Sequence, residues 1–351
     1  MRFAGWYGEF APWRKWSLIA ACLCLCSMGA APGHAGELRE IDEAIKRGLA
    51  IVQKGAKNYP SHRQCFSCHH QTLPLLAMRE AEEAGYEIDD EAVKAIQDHT
   101  FKSFHSRIDK LRDGRRIGGR ANTVSYGLWA FDLTEHVPDE TTQAMIEFLL
   151  KNQREDGRWV PPSNRPPLEE SQISVTFLSA YYMSQFTGQQ QQQKVEQSVT
   201  QARKWLSSAD PESQEDLNFQ LWGLQLLEED EAEERKTRQK ELRDEIISLQ
   251  RDDGGWSQLP KMESDAYATG QTLFILLDCG LPEDSDVAYR AIEYLHQTQL
   301  DDGSWLVETR AKPVQVFFDN GDPHGKSQFI SVAGTSWAVA ALARAKRLSD
   351  K

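Results

Sequence analysis

Apolar residues recur along this chain three and four positions apart, in stretches of roughly 10 to 20 residues broken by short polar turns. Two kinds of stretch alternate. In one, exemplified by residues 231–249, the apolar positions are few and the rest is charged. In the other, at 173–183, 269–277 and 331–343, apolar and small residues run almost all the way round. A striped helix lies on a core, and a helix without a polar face lies inside one. The alternation predicts about six hairpins, each an outer helix followed by an inner one, with inner helices starting near residues 72, 121, 171, 216, 266 and 330. Two concentric rings of this kind close into an all-α barrel, an α/α toroid.

Three of the turns share one spacing: Gln153-x3-Gly157-x-Trp159, Gln250-x3-Gly254-x-Trp256 and Gln299-x3-Gly303-x-Trp305. Glycine at a helix end can take the left-handed conformation that closes the cap. A Trp two residues later can then fold back on the helix just left, while the Gln amide bonds loop backbone. Each copy is predicted to staple neighbouring hairpins. Gln53 holds the same place in the first hairpin, where residues 54–71 stand as an insertion in place of the short Gly-x-Trp loop.

These repeats resemble the Trp-containing repeats of squalene-hopene and oxidosqualene cyclases. The hairpin period resembles the toroid of the terpenoid cyclase and protein prenyltransferase superfamily. The resemblance spans residues 36–351 as a single domain, and it implies the fold more firmly than the function. Functionally it implies a binder of a terpenoid or polyprenyl ligand, an apolar small molecule, or a cyclase-like enzyme. The Asp-x-Asp-Asp acid of squalene-hopene cyclases is absent, so squalene-cyclase activity is not expected. A non-catalytic scaffold for other proteins is a further alternative. Aromatic residues on the inner stretches, among them Tyr126, Trp129, Trp222, Phe274 and Trp337, read first as packing.

Polar residues stand where inner helices begin: Asp265, Glu170 beside Glu169, Asp216, and Arg120 with Asn122. Equivalent helix starts should meet at one mouth of the barrel. Asp265, Glu170 and Asp216 are therefore the candidate catalytic carboxylates, against the plainer reading that such side chains cap helices.

One motif owes nothing to the repeats. Cys65-Phe66-Ser67-Cys68-His69 matches the attachment pattern of haem c, in which two thiols bond the porphyrin and the next imidazole ligates iron. It gives Cys65, Cys68 and His69 as cofactor-binding residues, with His62, Met78, His105 and His324 as candidates for the sixth iron position. A disulfide or a redox dithiol competes, and so does zinc, which usually asks for a second ligand pair. With haem bound the chain would transfer electrons to a redox partner protein or carry out haem-dependent oxidation.

Charge and the N-terminus set the compartment. An uncharged run from Ser17 to Ala31 follows Arg14 and Lys15 and precedes Gly33-His34-Ala35, which predicts a secretory signal peptide over residues 1–35 and a secreted or periplasmic protein with no stable membrane span after cleavage. Three of six cysteines lie in that segment. The chain carries 40 Lys and Arg against 53 Asp and Glu, a formal charge of −13. Such a surface repels phosphate backbones and anionic lipid, which argues against nucleic-acid partners.

Overall fold

The computed structural model describes residues 32–161, 165–227, 233–312 and 316–350. The predicted leader's apolar run, Ser17 to Ala31, lies outside the described residues. The described residues from Leu38 onward form one compact unit, and residues 32–37 before it are helical.

The described residues fold as helices joined by turns. In chain order α1 (Pro32–His62) precedes α2 (Thr72–Glu83), and α3 (Asp90–His105), with the short α4 (Ile108–Arg112), precedes α5 (Arg120–Leu133). Then come α6 (Glu140–Asn152) and α7 (Gln172–Phe186), α8 (Gln192–Ser208) and α9 (Gln214–Leu226), α10 (Glu233–Ser248) and α11 (Ala266–Asp278), and α12 (Asp286–Thr298) and α13 (Gln328–Ser349). The second member of each pair is nearly wholly buried, whereas the first buries one stripe. Helices α2, α5, α7, α9, α11 and α13 pack each against the next, and α13 returns to pack on α2. This is the expected toroid, with inner helices starting within two residues of the predicted positions.

One boundary differs from expectation. Residues 54–62 continue α1, so only residues 63–71 leave helical geometry. Leu49, Val52, Ala56 and Tyr59 are all buried, and their spacing of three, four and three keeps the apolar stripe on the core through the predicted loop. Gln53 still acts across hairpins, accepting at 2.7 Å from the Asp89 N–H that opens α3.

The staples work as the sequence suggests. Gln153, Gln250 and Gln299 each donate from Nε2 to the carbonyl of their own Gly, at 2.8, 2.9 and 2.9 Å. Each also donates to a carbonyl on the next outer helix, Ser198, Val287 or Ala44, at 2.9 Å. Trp159, Trp256 and Trp305 fold back and donate from Nε1 to Leu149, Ile246 and Leu295. Their backbone N–H groups are held by Thr176, Thr269 and Thr335 of the following inner helix. Gly254 has φ +85, and a Cβ there would lie 2.3 Å from the Arg290 carbonyl oxygen. Glycine thus meets two demands at once, a left-handed turn and the close passage of the next outer helix.

Aromatic side chains from five inner helices fill the axis. Trp129 lies 5.8 Å from Trp222 and 6.1 Å from Trp337, and Phe274 lies 5.5 Å from Trp337. Tyr182 stacks on Trp129 at 5.6 Å and Phe177 lies 5.3 Å from Trp222. Below them Arg344 of α13 pairs with Glu80 of α2 and Asp278 of α11, and its guanidinium lies over Phe274 at 4.1 Å.

Candidate functional site

Inner helices that all run in one sense put their N-termini at one rim, and that rim collects the polar helix starts picked out above. Asp265 caps α11, accepting from the Ala268 N–H at 2.9 Å, and its second oxygen accepts from Gln258 Nε2 at 2.9 Å. Gln258 in turn accepts from Arg310, which also donates to Glu170 at 3.1 Å. Asp216 accepts from Ser171 Oγ and, at 3.1 Å, from the Glu212 N–H. Asp265 and Asp216 thus spend both oxygens on neighbours, and Glu170 accepts from Arg310 through Oε2. Burial raises the Asp265 pKa to about 6. Arg120 faces elsewhere, onto a cleft shared with Lys151 and Arg154.

The carboxylate left available is one the sequence reading passed over. Glu215, in the first turn of α9, is 4 % exposed. Tyr267 OH donates to its Oε2 at 2.8 Å, while Oε1 has no hydrogen-bond partner among the described residues. Burial pushes its pKa up to about 8, against the opposing hydrogen bond from Tyr267 and with help from the Asp216 charge. Burial thus favours the protonated carboxyl of Glu215 over the charged one. Tyr126 OH and both ends of the Asn122 amide, one helical turn apart on α5, are likewise buried without partners. The charge of Glu215 is felt at both Tyr126 and Tyr267, where together with burial it raises the phenol pKa. Glu215, Tyr267, Gln271, Ser171 and Arg310 border a narrow cleft of about 10 Å³, room for about one water molecule.

The cysteine motif adjoins this rim from the α1–α2 turn. Cys65 and Cys68 are free thiols. Burial, then the Glu169 charge, pushes the Cys68 thiol up to about 12, and burial, then Arg165, lowers His69 to about 3. His69 Nδ1 lies 3.7 Å from Cys68 Sγ, and the ring meets Phe329 edge-on at 5.5 Å. His70 is fully buried, stacked on Tyr59 at 4.5 Å, with Nε2 2.5 Å from Asn320 Nδ2. Of the expected sixth-position candidates, His105 is engaged on the outer ring by Thr141 at 3.1 Å, and His324 by Ser304 at 2.7 Å. Met78 is buried six positions into α2, roughly 9 Å along its axis from Thr72. Only His62 shares the motif's surroundings, stacked at 4.8 Å on the Phe318 ring that also meets His70. His99, which the sequence did not single out, lies with Nε2 3.1 Å from the Cys65 carbonyl oxygen.

No family model matches the sequence, and no curated protein matches it. Solved structures do match its fold. A variant of the type II terpene cyclase MstE from Scytonema, in complex with geranylgeranyl dihydroxybenzoate, superposes with a TM-score of 0.57 at 14 % identity, covering 90 % of this chain and 99 % of that one. A possible member of the GH105 family from Klebsiella pneumoniae gives 0.54 at 14 % identity, over 93 % and 96 %. A protein from Actinoplanes gives 0.53 at 13 % identity, over 87 % and 99 %. At such identities the likeness fixes the architecture alone: the chain has the α/α toroid found in terpene cyclases.

Proposed function

We propose that the chain binds a small molecule with an apolar body and a hydrogen-bonding end at the rim of its toroid, and that neutral Glu215 is the group that donates to it. One observation carries the reading. Glu215 Oε1 and Tyr126 OH are buried without hydrogen-bond partners among the described residues, Tyr126 near enough to feel the Glu215 charge, and a buried polar atom without a partner costs about 1–3 kcal/mol. A ligand oxygen seated among them would recover that cost. The MstE ligand, a prenyl chain on a dihydroxybenzoate, supports the same division into apolar body and polar end. An acid in its protonated form also supports proton donation to a bound alkene or carbonyl, so the reading extends to a cyclase-like enzyme.

The test is a titration of geranylgeranyl dihydroxybenzoate, followed by tryptophan fluorescence. Binding should weaken as pH rises through about 8, where Glu215 ionises, and Glu215→Gln should bind at pH 9 as at pH 6. A ligand that binds the wild type equally at both pH values would sink the assignment.

A second, independent reading starts from Cys65-x-x-Cys68-His69. With haem c attached, the protein would transfer electrons or oxidise a ligand held at the adjoining rim. The two unpaired thiols support it. The export that haem c maturation needs rests on residues 1–35.

A further inference from the structure

The turn between α1 and α2 carries two thiols in unlike surroundings. Cys65 keeps part of its surface in solvent, whereas Cys68 is 8 % exposed. Each end of the pair is pinned by a different element. The Cys65 carbonyl oxygen lies 3.1 Å from His99 Nε2, and the Phe66 N–H donates to Ser103 Oγ at 2.9 Å, both partners belonging to α3. The Cys68 carbonyl accepts from the Leu73 N–H of α2 at 3.1 Å, and Gln71 Oε1 accepts from the Ser67 N–H at 2.7 Å. Tyr59 of α1 is neighbour to both thiols: its hydroxyl lies 3.5 Å from Cys65 Sγ, and Cys68 is near enough for its charge to be felt there. The pair is therefore held in place, one cysteine partly open to solvent and the other behind it.

These surroundings select among the uses of two thiols. Structural zinc takes four protein ligands, and among the described residues no group of three His, Cys, Asp or Glu could hold an ion. Thiol–disulfide exchange asks for an accessible attacking sulfur with a resolving thiol close by, and the turn supplies one of each. Burial, then the Glu169 charge, pushes the Cys68 thiol up to about 12, so it holds little thiolate with which to attack dissolved reagents. Beside a mixed disulfide three residues away, proximity offsets that handicap. Cys279, also a free thiol, is 5 % exposed at the end of α11 and provides an internal comparison.

We propose that Cys65 and Cys68 form a reversible redox pair that exchanges with small-molecule disulfides, Cys65 as the attacking thiol and Cys68 as the resolving one. The Cys65 thiolate attacks one sulfur of the small disulfide, forming a mixed disulfide and releasing one small thiol. Cys68 then gives up its proton, its sulfur bonds Cys65 Sγ, and the second small thiol leaves. In sum the two protein thiols lose two electrons and two protons, and the small disulfide, the oxidant, departs as two thiols. The inference goes beyond ligand binding at Glu215, and it is the alternative to haem attachment, because a sulfur bonded to a porphyrin cannot exchange.

The full chain, reduced and free of haem, is equilibrated with mixtures of reduced and oxidised glutathione, alkylated in denaturant and digested with trypsin. Cleavage after Arg63 and Arg79 places both thiols on one peptide, residues 64–79, apart from every other cysteine. As the oxidised share rises, that peptide should become lighter by two hydrogen atoms in one two-electron step, reversed by added reductant, while Cys279 remains a free thiol. Cys68→Ser should halt at a glutathione adduct on Cys65, and Cys65→Ser should lose the adduct, with tryptophan fluorescence showing that both are folded. The wild-type transition decides the point without either variant. Thiols at 65 and 68 that stay free in every mixture would overturn the proposal, and so would adducts forming on Cys68 or Cys279 as fast as on Cys65. Chain exported from a host that matures haem c and recovered with haem on both sulfurs would overturn it as well.

Discussion

At the scale of single residues, Glu215 is the side chain whose chemistry the fold changes most usefully. Burial raises its carboxyl pKa to about 8, from an ordinary value of 4.5. A raised folded pKa contributes stability that is present at low pH and lost as pH climbs through the folded value. Urea unfolding at pH 5, 7 and 9 should therefore show a decline in the wild type that Glu215→Gln lacks, once Asp265, whose shift has the same sign, is carried in both proteins. Identical pH slopes would contradict the assignment. Both Glu215 and Asp216 were visible in the sequence, but the neighbour drew attention. Helix α9 is buried all round, so it has no polar stripe from which to read its phase, and which of two adjacent acids turns inward is decided by the Ser213 cap and by Tyr267. The same limit applies to His99 and Cys65, whose contact joins hairpins that no spacing rule connects.

At the scale of elements the staple is the unit, and it was almost fully legible. Gln, Gly and Trp at fixed offsets define a local geometry, and local geometry is what a repeat encodes. Trp256 is fully buried, with both its nitrogens bonded. Trp256→Ala should cost about 3–5 kcal/mol, measured by denaturant midpoint. Gly254→Ala should cost about 1–3 kcal/mol through backbone strain, together with whatever displacement the Arg290 carbonyl requires. An alanine that is silent there would mean that the loop relaxes freely. Where expectation slipped, in the helical residues 54–62, the turn chemistry of the repeat was absent and the apolar stripe of α1 simply ran on.

At the scale of the whole molecule, closure depends on α13 fitting between α11 and α2. The Arg344 cluster ties these three helices together at the far end from the rim. Glu80 is fully buried, so Arg344→Met, which leaves that charge to Arg347 alone, should destabilise by about 1–3 kcal/mol. Pairing it with Glu80→Leu should recover much of the loss. If the double variant is no better than the single one, the partners' charges are not what matters. The ring was foreseeable from the count of hairpins, but this cluster was not, because 264 positions separate its Arg and Glu. The aromatic rings midway along the inner helices pack against one another and fill the axis of the ring of helices. A molecule bound at the rim would have to enter and depart over the same lip. In a series of prenyl tails of increasing length, affinity should stop climbing as soon as the tail meets these packed rings, the surplus left outside in water.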